Sequence, residues 1–283
     1  MSYRVEYFEV PDPLVLSQDW RAESFDEHLE LCKYETTVPA FERWLPRDGR
    51  ILEAGCGLGR WIAYFAHNGY RLTGLDVTAD GMRQLRSKDV NAELVQGDVR
   101  GLPFRENSFD AVLSLGVLEH IEEGPEHALE EVVRVLKPGG TLFFQVPYNS
   151  PLRRVFVNRL HSLRMFVRKV RGARTCFHEY RFSRREVTRL LTRSGFSIRE
   201  MVPDDLRPPK NMGMYVDVIN LFGSEPLMRG RARSFLYRLF VRPDRNCELT
   251  GLGNAIARVC TAISPFLCCA QVLYVAEMQH DDG

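Results

Sequence analysis

Between residues 50 and 147 short apolar runs alternate with amphipathic stretches, and this alternation restricts the fold more than any other property of the chain. "RILEA", "RLTGLD", "AELVQGD", "FDAVLSLGV" and "TLFFQVP" read as five strands. "GRWIAYFAHNG", "ADGMRQLRS" and "PEHALEEVVRVL" read as helices between them. The first helix ends on Asn68-Gly69, a stop signal. The last starts at Pro125 and would bury Ala128, Leu129, Val132, Val133 and Leu136, and "KPGG" after it reads as a turn. Strands and helices at this spacing require right-handed crossovers and a parallel sheet. The expected fold is therefore α/β, a doubly wound, mostly parallel sheet. "FSIREMV" and "QVLYVAEM" bring the expected strand count to seven. Such sheets bind ligands at the carboxyl ends of their strands, near the point where strand order reverses.

The flanks are read in the same way. Residues 24–45 have helical apolar spacing through Leu29, Leu31, Cys32, Val38, Phe41 and Leu45, and Pro46 ends the run. Ser183 and Glu186 make a capping box for the helix that Gly195 stops. The expected division is 1–46 as an N-terminal helical cap, 47–150 as the ligand-binding core, 151–203 as substrate-side helices and the sixth strand, 204–270 as an insertion or lid, and 271–283 as the last strand and tail. Seven scattered cysteines without a Cys-x-x-Cys pair argue against a disulfide framework or structural zinc. "MSYRVEYFEVPDP" is acidic and lacks a long apolar run, so a cytoplasmic location is expected. Residues 255–276 come nearest to a membrane span, but Arg258, Pro265 and Gln271 interrupt them.

The turn after the first core strand reads "ILEAGCGLGRW". Its Gly55-x-Gly57-x-Gly59 spacing is one residue shorter than a dinucleotide fingerprint, and no Lys-Ser/Thr follows to make a phosphate loop. Glu53 stands just before the first glycine, where a carboxylate repels a pyrophosphate and attracts a cation. S-adenosylmethionine carries an ammonium and a sulfonium and no phosphate. Its amino-acid end would lie on the glycine backbone beside Glu53. Asp76 ends the second strand, where a carboxylate can accept both ribose hydroxyls. Asp98 ends the third, where with Val99 it can edge an adenine.

These pieces, with "GDVRGLPFRENSFDAVLSLGVLEHI", "ALEEVVRVLKPGGTLFFQVP" and "HEYRFSRREVTRLLTRSGF", follow an order from about residue 48 to 202 that resembles the class I S-adenosylmethionine-dependent methyltransferases, the methyltransferase type 11-like group in particular. The resemblance implies a Rossmann-like seven-stranded sheet with the helical cap and an insertion before the last strand. It implies S-adenosyl-L-methionine as cofactor. It also implies that Glu53, Gly55, Gly57 and Gly59 form the first binding motif, Asp76 and Val77 the ribose side, Asp98 and Val99 the adenine side, and that Leu115 lines the site. From the residues alone, Trp20 and Tyr34 of the N-terminal stretch would either cap the site or pack in the core.

Two absences narrow the methyl acceptor. Neither an Asn/Asp-Pro-Pro-Tyr nor a Pro-Cys follows the fourth core strand, where "SLGVLEHI" stands. A small-molecule oxygen is the expected acceptor, with a quinone or lipid precursor as the alternative and a catalytically silent cofactor-binding protein as the least favoured reading. His120, Tyr148 and His178 are candidate bases. No metal and no nucleic acid is expected at the site. Charge is divided: residues 1–150 hold 15 Lys+Arg against 25 Asp+Glu, while 151–245 hold 22 against 8. "PLRRVFVNRLHSLRMFVRKVRGART" has eight Lys+Arg, no acid and interleaved apolar residues. A basic amphipathic helix of this kind can touch an anionic membrane surface or simply face solvent over the sheet.

Overall fold

A computed structural model of the chain describes residues 3–9, 25–33, 35–88, 90–172, 174–204, 213–214, 217–218, 238–242 and 248–279. Strand β1 (Arg4–Glu9) lies outside the main sheet. The main sheet contains β2 (Arg50–Ala54), β3 (Arg71–Asp76), β4 (Glu93–Gln96), β5 (Phe109–Leu115) and β6 (Leu136–Pro147). After β7 (Thr175–Arg181), which leaves the sheet, come β8 (Phe196–Asp204) and β9 (Gln271–Met278). The order is β4-β3-β2-β5-β6-β9-β8. Neighbours from β4 to β6 run parallel, and β9 runs antiparallel to both β6 and β8. Strand order reverses between β2 and β5, so the glycine turn after β2 opens at the switch point.

The strands are continuous apolar runs because helices cover both faces. On one face lie α1 (Phe25–Cys32), α2 (Val38–Trp44), α3 (Arg60–His67) and α4 (Ala79–Arg86). Phe41, Trp61 and Phe65 pack there on Ile51, Leu113, Phe143 and Val275. On the other face α5 (Glu126–Val135) and α7 (Arg184–Arg193) bury Leu129, Val132, Val187 and Leu190 against Leu52, Val112, Phe144 and Tyr274. Helix α6 (Asn158–Val170) joins β6 to β7. Ser183 and Glu186 form the capping box of α7, as their spacing predicts.

Three expectations need correction. The helix expected over 24–45 is two helices, α1 and α2, because Pro39 stands at the start of α2 and cannot donate back to Glu35. The N-terminal segment is not purely a helical cap: β1 pairs antiparallel with β7 as a separate two-stranded ribbon, Arg4 opposite Arg181. "KPGG" belongs to β6, which bends there at Gly139 (φ +74°) while its register against β5 shifts.

Residues 255–276 fall into α8 (Gly251–Ile263), a 3₁₀ turn at Pro265–Leu267, and β9. Among the described residues no helix is long and apolar enough to cross a membrane. In the insertion before β9, Val218, Val241, Leu249 and Ala257 make a small core. Arg153 ties it to the end of β6. Its Nε donates to Asp217 Oδ1 at 2.6 Å, Nη1 to the Tyr148 carbonyl at 2.6 Å and Nη2 to the Gly213 carbonyl at 3.1 Å. Both Arg153 and Asp217 are buried.

Candidate functional site

The turn between β2 and α3 is built by left-handed backbone, which favours glycine. Gly55, Gly57 and Gly59 have φ of +88°, +53° and +78°. A Cβ on Gly55 would stand 2.5 Å from Val117 Cγ2, and one on Gly59 would collide with Leu85 Cδ2. The Gly55 and Cys56 amides donate to the Leu75 carbonyl at 2.7 and 2.9 Å, which pins the turn to the end of β3. Val117 therefore closes the turn from the β5 side, a role its sequence position did not advertise.

Glu53 lies under this turn. It is buried, and its Oε2 has no hydrogen-bond partner. Burial raises its pKa to about 8; Asp76 adds to the rise, and Arg60 and the Ile62 amide oppose it. A buried carboxyl oxygen without a donor is costly, and a cation placed against it would relieve the cost. This orphan oxygen fits the ammonium end of S-adenosylmethionine, as the sequence implies.

The other two acids are more occupied than expected. Asp76 Oδ2 accepts from the Gly57 amide at 2.8 Å, and Oδ1 accepts from the Thr78 amide and hydroxyl at 2.8 and 2.7 Å. A carboxylate has about four acceptor sites. Asp76 therefore offers one further bond, not the two that a full ribose clasp requires. Asp98 is held by Arg100, which gives both carboxylate oxygens side-chain hydrogen bonds and one a backbone bond. That pairing lowers its pKa. Asp98 has no acceptor site to spare for an adenine amine until the exposed Arg100 swings away, a cheap motion for a surface ion pair. Val99 is buried, Leu115 is half-buried, and Val77 is exposed. Trp20 and Tyr34 lie outside the described residues.

Two of the three candidate bases come together. His120 sits in the 3₁₀ turn after β5 (Leu118–His120), and His178 on β7 packs its ring edge-on at 5.4 Å. His120 Nδ1 lies 2.9 Å from the His178 carbonyl. A carbonyl only accepts, so Nδ1 carries the proton and Nε2 keeps its lone pair. The β1–β7 ribbon is fastened over this turn by Tyr180 Oη to the Glu122 carbonyl and by Tyr3 Oη to Glu126 Oε1, each 2.6 Å. Burial lowers the His178 pKa. Ligand atoms of His120, His178 and Glu179 lie within 4.8 Å of one another, but Glu179 is already engaged by Arg181 at 2.9 Å. Next to His120, Glu119 is buried with Oε2 unpartnered. Burial, with Glu179 adding, raises its pKa to about 8. Nothing in its sequence context singles it out.

Tyr148 does not join this pair. Its ring turns to the α7 side, packs edge-on against Phe266 at 6.1 Å, and lines a separate cleft. Burial holds the proton on its phenol, which disfavours it as a base. Asn149 accepts from Asn158 Nδ2 at 2.9 Å and serves to anchor α6.

Residues 52–144 match the family model for a methyltransferase domain (Methyltransf_11). This stretch of the chain carries a methyltransferase domain. Over 100 residues it is 40% identical to fatty-acid O-methyltransferase of Mycolicibacterium smegmatis, an overlap covering 34% of this chain and 36% of that one. Over 125 residues it is 32% identical to malonyl-[acyl-carrier protein] O-methyltransferase of Enterobacter lignolyticus, covering 44% and 49%. The chain thus spans about a third to a half of the length of these curated relatives. A solved S-adenosylmethionine-dependent methyltransferase from Methanosarcina mazei superposes with a TM-score of 0.55 at 20% identity, covering 86% of this chain and 98% of that one. The cofactor of the methyltransferase domain is S-adenosyl-L-methionine.

The Glu53 carboxyl gives this domain a pH signature. In the free protein the group titrates near pH 8, and a bound cation selects its ionised form. Affinity for S-adenosylmethionine should therefore rise with pH up to about 8, at most about tenfold per pH unit, with release of a proton. Free-protein stability should move the other way. A carboxyl with a raised folded pKa stabilises fully below its ordinary range, and that contribution is lost as pH rises through about 8. Glu53→Gln should flatten both profiles. Calorimetry in two buffers of different ionisation enthalpy measures the proton. A wild-type affinity independent of pH would exclude this account of Glu53.

Proposed function

We propose that the chain transfers a methyl group from S-adenosyl-L-methionine to a hydroxyl oxygen of a small-molecule acceptor, a specialised metabolite. The bound cofactor supplies the activated methyl. Glu53 and the glycine turn would hold its amino-acid end, Asp76 one ribose hydroxyl, and Val99 and Leu115 the apolar rim of the adenine. The observation that carries the reading is the His120 tautomer. Nε2 keeps its lone pair because Nδ1 donates to the His178 carbonyl, so His120 can take a proton from a hydroxyl brought before it. Glu119, protonated near neutral pH, supplies a hydrogen-bond donor at the same turn. The methyl-accepting oxygen named for two relatives supports an oxygen acceptor as well.

The experiment supplies S-adenosylmethionine with a labelled methyl, offers hydroxyl and carboxyl acceptors, and identifies the labelled product by mass spectrometry. We expect label on a hydroxyl oxygen, and we expect Asp76→Ala to lose most cofactor affinity, which should be of micromolar order, about −8 kcal/mol. Label on nitrogen or carbon alone would refute the assignment of the acceptor. Failure of the intact chain to bind the cofactor would refute the reading as a whole.

A further inference from the structure

Residues 151–172 form a surface that methyl transfer leaves unexplained. The chain leaves β6 through a π-helical turn (Arg153–Val157) and continues into α6. Val155, Phe156, Leu160, Leu163, Phe166 and Val170 are exposed, Phe166 to 65% and Val170 to 72%. Phe156, Leu160, Leu163 and Val170 recur at helical spacing, so one stripe of this element is apolar. A lone exposed leucine needs no reason, but a contiguous stripe marks an interaction surface. Residues 151–172 also hold six Lys+Arg besides the buried, Asp217-paired Arg153, and no acid.

A cleft of about 590 Å³ adjoins it, lined by Tyr148, Arg154, Ser183, Arg184, Arg185 and Arg189. Arg154 belongs to both surfaces. Among the described residues, none of these four arginines has a carboxylate partner; Arg184 lies over the Phe266 ring at 4.6 Å. Arg184 and Arg185 occupy the first turn of α7, where the helix dipole disfavours a cation. An anion in the cleft would relieve this.

We propose that residues 151–172 dock in the plane of an anionic bilayer, with the apolar stripe in the headgroup–acyl boundary and a lipid phosphate in the arginine cleft. A bilayer satisfies the stripe and the cations together. A second copy would set one cationic segment against another, and a nucleic acid would leave the stripe in water. Helix α6 starts at the carboxyl end of β6, so docking brings the acceptor side to the lipid surface. If the proposed methyl transfer holds, its acceptor is an amphiphile drawn from the bilayer; the docking itself does not depend on that reading.

The test is flotation of the full chain with vesicles of phosphatidylcholine alone and of phosphatidylcholine mixed with phosphatidylglycerol. We expect co-flotation with the anionic vesicles only, weakening with added salt. Arg185→Gln and Arg189→Gln should each cost about fivefold in partitioning. Phe156→Ser combined with Phe166→Ser should abolish flotation. All of these variants change exposed side chains and should keep wild-type cofactor affinity and melting temperature. Equal partitioning to neutral vesicles, or none to either, would overturn the proposal. So would a wild-type dimer that the serine variant converts to monomer while neither floats, or binding to RNA in place of vesicles. Loss of cofactor binding by the unmodified chain would strike the methyltransferase reading and leave the docking intact.

Discussion

His120→Gln should lower kcat on a hydroxyl acceptor by about 10²–10⁴-fold with little change in KM, because glutamine fills the same turn and cannot take a proton. On a carboxylate acceptor, already ionised at neutral pH, the same variant should change the rate by less than about tenfold. The wild-type rate on a hydroxyl should fall with acid, as general-base catalysis requires. The variant should instead keep rising with pH as the acceptor ionises by itself. His178→Ala is the informative companion. It removes the neighbouring ring but keeps the backbone carbonyl that fixes the His120 tautomer, so it should cost far less. Steady-state rates over pH with both acceptor types decide the matter. Equal losses on hydroxyl and carboxylate acceptors would show that His120 only shapes the pocket.

Arg153→Met or Asp217→Asn should each destabilise the chain by about 3–5 kcal/mol. Each leaves its partner buried without a counter-ion, and removing Arg153 also frees the Tyr148 and Gly213 carbonyls. The loss is large against the 5–15 kcal/mol that usually separates folded from unfolded chains. The double variant Arg153→Met with Asp217→Leu should recover much of it, since an apolar pair of similar volume avoids the desolvation of both charges. Denaturant unfolding measures all three. A single-variant cost under about 1 kcal/mol would mean that the pair is solvated and does not hold the insertion to β6.

The seven strands of the main sheet were legible because each is a short apolar run between turn residues, and the covering helices show 3.6-residue spacing. Pro39 was also in plain view as the break between α1 and α2. The ribbon was not legible. "RVEYFE" and "TCFHEYR" are mixed in polarity, and each finds its partner far along the chain, where no local pattern reports it. The acids Asp76 and Asp98 were singled out by position at strand ends, yet how far their oxygens are occupied depends on Gly57 and on residues two places on. Thr78 and Arg100 turn back onto them, a local habit of aspartate that the sequence does contain. Glu119 stayed hidden for a different reason. Its peculiarity is burial without a partner, and burial is a property of the assembled fold.

The β1–β7 ribbon also says something about order in time. It joins residue 4 to residue 181, so during synthesis β1 emerges early and waits for more than half of the chain. A two-stranded ribbon is marginal by itself and gains its hold from Tyr3 and Tyr180 on the turn after β5. Its pairing should form late, because closing a contact of such sequence separation costs chain entropy that local contacts do not. The glycine turn, by contrast, is pinned to Leu75 of β3, a near neighbour in sequence. The wall that carries the His178 carbonyl, and with it the seat of the His120 lone pair, is therefore expected to be completed after the glycine turn.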